Sequence, residues 1–264
     1  TRFGRASGTF KDPNVYGAFL VLPAIYCLQL AIERPLRRAG WPLAGAAVLS
    51  LGILLSFSRG AWINLAVAAI TFGYLAFSTA SSSAARMRIT VLALVAALMM
   101  SLTALIALQF DRVADLLGER ATLTQSYDVG PEGRFGGQEK ALRIISENPL
   151  GIGAQDFTEQ HHHEEVHNVY LSMTLNGGWL GGALFLVLNA LTLVAGVSAL
   201  LSATALRPLL IVAVSAFLAT ALEGVIIDTD HWRHLYVDLA LVWGLAVAAR
   251  RSGPAARASG GWRA

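Results

Sequence analysis

The sequence predicts an all-α polytopic membrane protein, with about seven transmembrane helices and a large external loop between the fourth and the fifth. Three observations predict it. Apolar side chains make up 55% of the 264 residues and charged ones only 14%, where a soluble domain needs roughly 25% charged residues to wet its surface. Uncharged apolar stretches of the roughly 17 to 25 residues that cross a hydrocarbon core recur along the chain. Most of the acidic side chains fall in one polar segment, Asp111 to Val166. A soluble globular domain and a disordered chain are both excluded by this composition. The single Cys27 excludes a disulfide scaffold. A pI of 9.3 does not signal nucleic acid, because the arginines punctuate hydrophobic runs and form no basic stripe.

The spans are expected in order at Val15 to Ile32, Trp41 to Phe57, Ala61 to Phe77 and Ile89 to Phe110. After the polar loop, Asn168 to Leu201 is too long for one perpendicular crossing, at about 1.5 Å per residue against a core of about 30 Å. Asn176-Gly177-Gly178 divides it into a short interfacial helix, His167 to Leu175, and a fifth span, Trp179 to Leu200. The sixth span is expected at Pro208 to Ile227 and a shorter seventh at Leu235 to Ala249. The chain therefore divides into four spans with an external N-terminal segment (1–110), the loop with short helices (111–167), three more spans (168–249) and a tail (250–264). Trp41, Trp62, Trp179, Trp232 and Trp243 lie near span ends and read as interfacial anchors. The start, Thr1-Arg2-Phe3-Gly4, has no Met, basic n-region or cleavage site, and reads as the C-terminal part of a longer protein.

Lys and Arg placement orients the spans. Arg34, Arg37, Arg38, Arg86, Arg88, Arg207, Arg250, Arg251, Arg257 and Arg263 crowd into one set of short loops and the tail. The other ten are spread over the N-terminal segment, the long loop and the short loops that hold Arg59 and Arg233. The first set is cytoplasmic on this reading. Ser58-Arg59, the long loop and Asp228 to His234 then share the outer face.

Four features there could carry chemistry. Arg59 in Ser58-Arg59-Gly60-Ala61-Trp62 sits at a span end, where an arginine either snorkels to the interface or presents a planar fork of donors to a phosphate. Arg134, in Gly133-Arg134-Phe135, precedes Ala141-Leu142-Arg143-Ile144-Ile145, whose apolar spacing predicts a short amphipathic loop helix, and Arg134 and Arg143 each read either as a solvated cation or as an anion contact. His161-His162-His163-Glu164-Glu165-Val166-His167 invites a metal reading, but adjacent histidines diverge on any regular backbone and no HExxH helix or Cys partner supports it, so no metal site is assigned. His167 differs from its neighbours: it opens an apolar stretch at the water boundary, as a helix cap or as a general base near neutral pH. Asp228 and Asp230, in Asp228-Thr229-Asp230-His231-Trp232-Arg233-His234, form either a hydrated loop or an electrostatic partner for the external arginines and an acceptor contact. Glu223, about one turn inside the sixth span, is expected to line the cavity beneath that loop.

The motifs in order resemble the O-antigen ligase (Wzy-C) family. They are Arg5-Ala6-Ser7-Gly8-Thr9-Phe10 with Asp12-Pro13-Asn14, Ser58-Arg59-Gly60-Ala61-Trp62, Gly133-Arg134 leading into Asn148-Pro149-Leu150-Gly151-Ile152-Gly153, His167-Asn168-x-Tyr170-Leu171, and Gly177-Gly178-Trp179-Leu180-Gly181. The resemblance implies a GT-C-type glycosyltransferase of the bacterial inner membrane, multi-pass, with a periplasmic active face. Such an enzyme moves a glycan from undecaprenyl pyrophosphate to an acceptor hydroxyl, with inversion and without a metal ion or cofactor. In the ligases proper the acceptor is lipid A core oligosaccharide; related members polymerise repeat units. Carried over by motif, Arg59 and Arg134 bind the donor pyrophosphate and His167 activates the acceptor. Arg143, Asn168, Asp228 and Asp230 complete the expected substrate contacts, and Asp111 to Val166 corresponds to the family's large periplasmic loop. The chain departs from the family in Phe135-Gly136-Gly137-Gln138, which follows the second arginine where an aromatic position is usual, and in carrying fewer spans upstream. The rival readings are a transporter, with Glu223 and the Gly177-Gly178 break as coupling elements, and a membrane scaffold whose loop binds a partner.

Overall fold

A computed structural model of the chain describes residues 5–111, 114–115, 118, 130–202 and 204–251. The expected external loop is thus seen from Gly130 onward. Most of its first part, residues 112–113, 116–117 and 119–129, and the tail from Ser252 lie outside the described residues. The described elements are helical. They are α1 (Pro13–Phe19), α2 (Val21–Glu33), α3 (Leu36–Leu55), α4 (Arg59–Thr79), α5 (Ser83–Ala107), α6 (Arg134–Glu147), a π-helical turn (Phe157–His161), α7 (Val169–Leu200), α8 (Arg207–Glu223) and α9 (Arg233–Arg251).

Local chemistry accounts for the boundaries. Asp12, Ser58, Ser82 and Asn168 each cap a helix, their side-chain oxygens accepting N–H groups from the first turn of α1, α4, α5 and α7. Pro23 has no N–H to offer Phe19, four residues back, and the first apolar run breaks between α1 and α2. The division inside α7 falls at Gly178, at φ 70° and ψ −175°. That conformation is open in practice only to glycine. His167 stands outside α7 and Asn168 caps it, so the interfacial segment begins two residues later than the sequence reading placed it.

Five helical runs are long and apolar enough to cross a membrane: Pro13–Glu33, Leu36–Leu55, Arg59–Thr79, Ser83–Ile106 and Val169–Leu200. The sixth and seventh expected spans exist as helices, with a different character. At 17 residues α8 is roughly 26 Å long, and α9 carries Arg233, His234, Asp238, Arg250 and Arg251 within 19 residues. The central element is α8, packed against α2, α4, α7 and α9. Its residues from Leu210 to Ala221 are buried apart from Leu218, and the small Ala213, Ala216 and Ala219 let neighbouring helices approach closely.

Helix direction sorts the loops to two ends. At one end Arg88 donates to the carbonyl of Ala31 (3.1 Å), joining the α2–α3 and α4–α5 connections. At the other end lie the starts of α4, α7 and α9 and the end of α8. Trp232 departs from the expected anchor role, because the loop holding it folds back onto the bundle; the ring is 1% exposed and lies 5.1 Å from His234. Trp41, at 85% exposed, keeps its place on the outside.

Candidate active site

The site is built at the end where α4, α7 and α9 begin. The N-terminal segment is pinned there, with Arg5 donating to the Ser56 carbonyl (2.8 Å) and to Asn14 Oδ1 (2.7 Å). Phe57, at φ 49°, turns the chain between α3 and α4. Arg59 follows as the first residue of α4, half-buried. Next to it, Gly60 leaves room for a carboxylate: a Cβ there would lie 2.5 Å from Glu223 Oε1. Asn64, one turn further, donates to Glu223 Oε2 at 2.5 Å. The start of α4 is therefore locked to the end of α8.

From Glu223 the contacts lead directly to His167. Gly224 accepts the N–H of Val169 (2.8 Å), and Asp228 accepts the N–H groups of both His167 (2.7 Å) and Asn168 (3.2 Å). Gln138 of α6 donates to the His167 carbonyl (3.3 Å). These bonds hold His167 at φ 55°, a left-handed conformation uncommon outside glycine. Its ring lies between two carboxylates, with Nδ1 3.8 Å from Asp228 Oδ2 and Nε2 3.5 Å from Glu164 Oε2. The side chain is 25% exposed, enough for a ligand to reach it.

The electrostatics favour a neutral imidazole. Burial pushes the His167 pKa below its ordinary value, the nearby Arg134 guanidinium pushes it further down, and Asp228 and Glu164 offset part of the fall. Burial raises the Asp228 carboxyl, opposed by the His167 N–H. Glu165 is also raised, by burial and then by the charges of Asp228 and Asp230, so three carboxyl groups share this patch.

Of the residues singled out in the sequence, His167, Asn168, Asp228, Asp230 and Arg134 come together, and Arg59 stands on the same end of the bundle through Gly60 and Glu223. Arg143 is placed apart. It lies on the exposed side of α6, 3.5 Å from Glu139, beside a groove of about 610 Å³ lined also by Lys140 and His161. The side-chain oxygen of Asn168 is occupied by the N–H groups of Tyr170 and Leu171. Gln138, Glu164 and Ser172, which bonds Asp228, escaped the sequence reading. Gln138 and Ser172 each lie four residues from a singled-out residue, Arg134 and Asn168, and Glu164 stands in the histidine run three residues before His167; only that proximity could have drawn attention to them.

The Asn148-Pro149-Leu150-Gly151-Ile152-Gly153 turn docks on the α7 break. Ile152 and Gly153 donate to the carbonyls of Leu175 and Asn176, and Trp179 donates to that of Pro149 (3.0 Å). A separate apolar cleft of about 480 Å³ opens between α2, α8 and α9, with His234 and Asp238 among its lining residues.

Helices of membrane-crossing length with a histidine, carboxylates and arginines gathered at one end define a polytopic membrane protein with an enzyme-like site. The chain belongs to the O-antigen ligase family: the family's sequence model matches residues 44–186, just over half of the chain. This is a family of glycosyltransferase-like membrane enzymes of the O-antigen ligase and polymerase type. The match takes in the Arg59, Arg134 and His167 motifs; the N-terminal motif and the Asp228–Asp230 loop lie outside it. No curated protein and no solved structure matches the chain.

Proposed function

We propose that the protein is an O-antigen ligase-like glycosyltransferase that moves a glycan from undecaprenyl pyrophosphate to an acceptor hydroxyl of lipid A core oligosaccharide, on the periplasmic face of the bacterial inner membrane. The observation that carries the proposal is the setting of His167: half-buried, its pKa lowered, its backbone held by Asp228 and Gln138, and Arg134 nearby. A base near neutral pH is what activation of a hydroxyl needs.

In the reaction the acceptor oxygen attacks the anomeric carbon while the bond from that carbon to the pyrophosphate oxygen breaks, and the configuration inverts. The hydroxyl proton passes to His167 Nε2 or Nδ1. The bonding pair leaves with the lipid pyrophosphate, whose negative charge Arg59 and Arg134 stabilise. Both arginines occupy the first position of a helix, α4 and α6 respectively, where the exposed N–H groups and the positive end of the helix dipole add to a guanidinium fork. Fixed positive groups of this kind can stabilise a leaving group without a divalent cation. The cleft between α2, α8 and α9 supplies an apolar wall suited to a polyprenyl chain. The same site serves a polymerase if the acceptor is a second lipid-linked glycan.

The test is glycan transfer by the full-length protein in membranes, with undecaprenyl-pyrophosphate glycan and with lipid A core present or absent, beside His167→Ala. Product that requires both the core and His167 is expected. Longer lipid-linked glycan formed without the core makes the protein a polymerase. Unchanged transfer by His167→Ala overturns the role given to the histidine.

A further inference from the structure

The histidine run, which the transfer reaction uses only at His167, contains a second constellation. The backbone there is not regular: His161 closes the π-helical turn and His162 is extended, at φ −151° and ψ 145°. The neighbouring rings of His162 and His163 therefore do not diverge as they would on a helix or strand; their centroids are 4.7 Å apart, at 33°. Glu132, from the turn just before α6, reaches both. Its Oε2 is 3.9 Å from His162 Nε2 and 3.6 Å from His163 Nδ1, and one ligating atom from each of the three residues fits within 4.8 Å of the others.

A second observation is independent of that clustering. The His162 side chain is 1% exposed, stacked on Phe157 (5.8 Å, 22°) and packed against Gly137, where a Cβ would lie 3.2 Å from the ring. Its Nδ1 lies 3.1 Å from the Glu164 carbonyl and 3.3 Å from the Glu164 N–H, while its Nε2 is buried with no hydrogen-bond partner among the described residues. Leaving a buried imidazole nitrogen without a partner costs roughly 1–3 kcal/mol. In the tautomer that carries its proton on Nδ1, toward the Glu164 carbonyl, Nε2 presents its lone pair, the arrangement of metal-ligating histidines.

We propose that Glu132, His162 and His163 bind a divalent transition-metal ion of the zinc class, with solvent completing the coordination. Two imidazoles and one carboxylate make a donor set that suits zinc and its neighbours and disfavours magnesium or calcium. Tetrahedral zinc with bonds of about 2.0–2.2 Å sets ligand atoms about 3.3 Å apart, so the exposed Glu132 and His163 side chains close the site by moving at most about 1.5 Å from separations that are all within 4.8 Å. The ion is a clamp, not a reactant. Glu132 lies two residues before Arg134 and His163 four before His167, so the ion ties the segment leading into one functional side chain to the segment leading into the other.

The test reads binding, not transfer, and stands whichever reaction the protein performs. Full-length protein purified on a tag without histidine is stripped with a chelator, and Zn²⁺ alone is titrated by competition with a chromophoric chelator, with thermal unfolding followed in parallel. The wild type is expected to take up one ion per chain and to unfold at a higher temperature with it. His163→Ala and Glu132→Gln, both at exposed side chains and so not expected to disturb folding, should weaken binding at least tenfold and abolish the thermal shift, whereas His161→Ala should bind as the wild type does. Wild-type affinity in His163→Ala, an equal loss in His161→Ala, or no zinc uptake by the wild type each overturns the proposal.

Discussion

The Asp228 carboxylate accepts the backbone N–H groups of His167 and Asn168 at once, at 2.7 and 3.2 Å, across 61 and 60 residues of sequence. One side chain of the α8–α9 loop thereby fixes the backbone that presents the candidate base and the residue that caps α7. In the proposed reaction Asp228 acts through His167, as a positioning residue. Asp228→Ala should lower transfer by about 10- to 100-fold, with Asp228→Asn intermediate because it keeps one acceptor. The sign of the pH effect separates this role from a merely structural one. The Asp228 charge raises the His167 pKa, so its removal in Asp228→Asn lowers that pKa, and the acidic limb of the residual kcat profile should move to lower pH.

Arg134 acts on the same profile in the opposite direction. Its charge lowers the His167 pKa, so Arg134→Gln should move the acidic limb to higher pH while transfer falls by about 100-fold or more through loss of leaving-group stabilisation. Arg134→Lys keeps a charge but not the planar fork, and should restore the limb and leave most of the activity lost. Near wild-type transfer by Arg134→Lys would count against pyrophosphate binding at this position.

His167 is neutral down to below its ordinary pKa, because burial and Arg134 lower it. Transfer should therefore remain level as pH falls through about 6.5 and decline only further down. A decline beginning above pH 7 in the wild type argues for a different base. His167→Ala should lose about 10²- to 10⁴-fold in kcat at every pH and lose the limb with it.

Gly178 and Gly151 are required by backbone contact. At φ 70° and φ 83°, a Cβ on Gly178 would lie 2.5 Å from the Pro149 carbonyl oxygen, and one on Gly151 2.5 Å from the Gly178 nitrogen. Backbone cannot step aside as a flexible side chain does. Gly178→Ala and Gly151→Ala should each cost about 1–3 kcal/mol, read as a lower Tm in detergent, whereas Gly177→Ala, where a Cβ meets nothing within 4 Å, should cost far less.

Accessibility of the two ends tests the orientation. With Cys27 replaced by Ser, a cysteine at Gln160, exposed beside the site, should react with an impermeant thiol reagent in intact spheroplasts. One at Ser81, exposed at the opposite end, should react only after lysis. The reverse pattern inverts the topology.

Much of this was legible in the chain. Span positions followed from apolar length and the break in α7 from adjacent glycines, whereas the helix starts, expected at Ala61, Ile89 and His167, are set by the caps Ser58, Ser82 and Asn168. The shared end of Arg59, His167 and Asp228 followed from counting alternate loops. Less legible was the status of α8 and α9: α8 is apolar but ends after 17 residues, and α9 carries Arg233, His234, Asp238, Arg250 and Arg251 while Tyr236 and Val237 remain exposed on it. Trp232 illustrates the same limit: a tryptophan near a span end reads as an anchor until the loop that carries it folds inward.

The sequence by itself determined the class of protein, the order of its helices and the family motifs, because apolar length, capping residues and glycine breaks act between residues close in the chain. Only the tertiary structure decided what Asp228, Glu132, His162 and Glu223 do. Their partners, the His167 backbone, each other across the start of α6, and Asn64 of α4, lie roughly 30 to 160 residues away. No local pattern encodes a contact that exists only when separate helices bury their polar groups against one another and each buried group must find a partner.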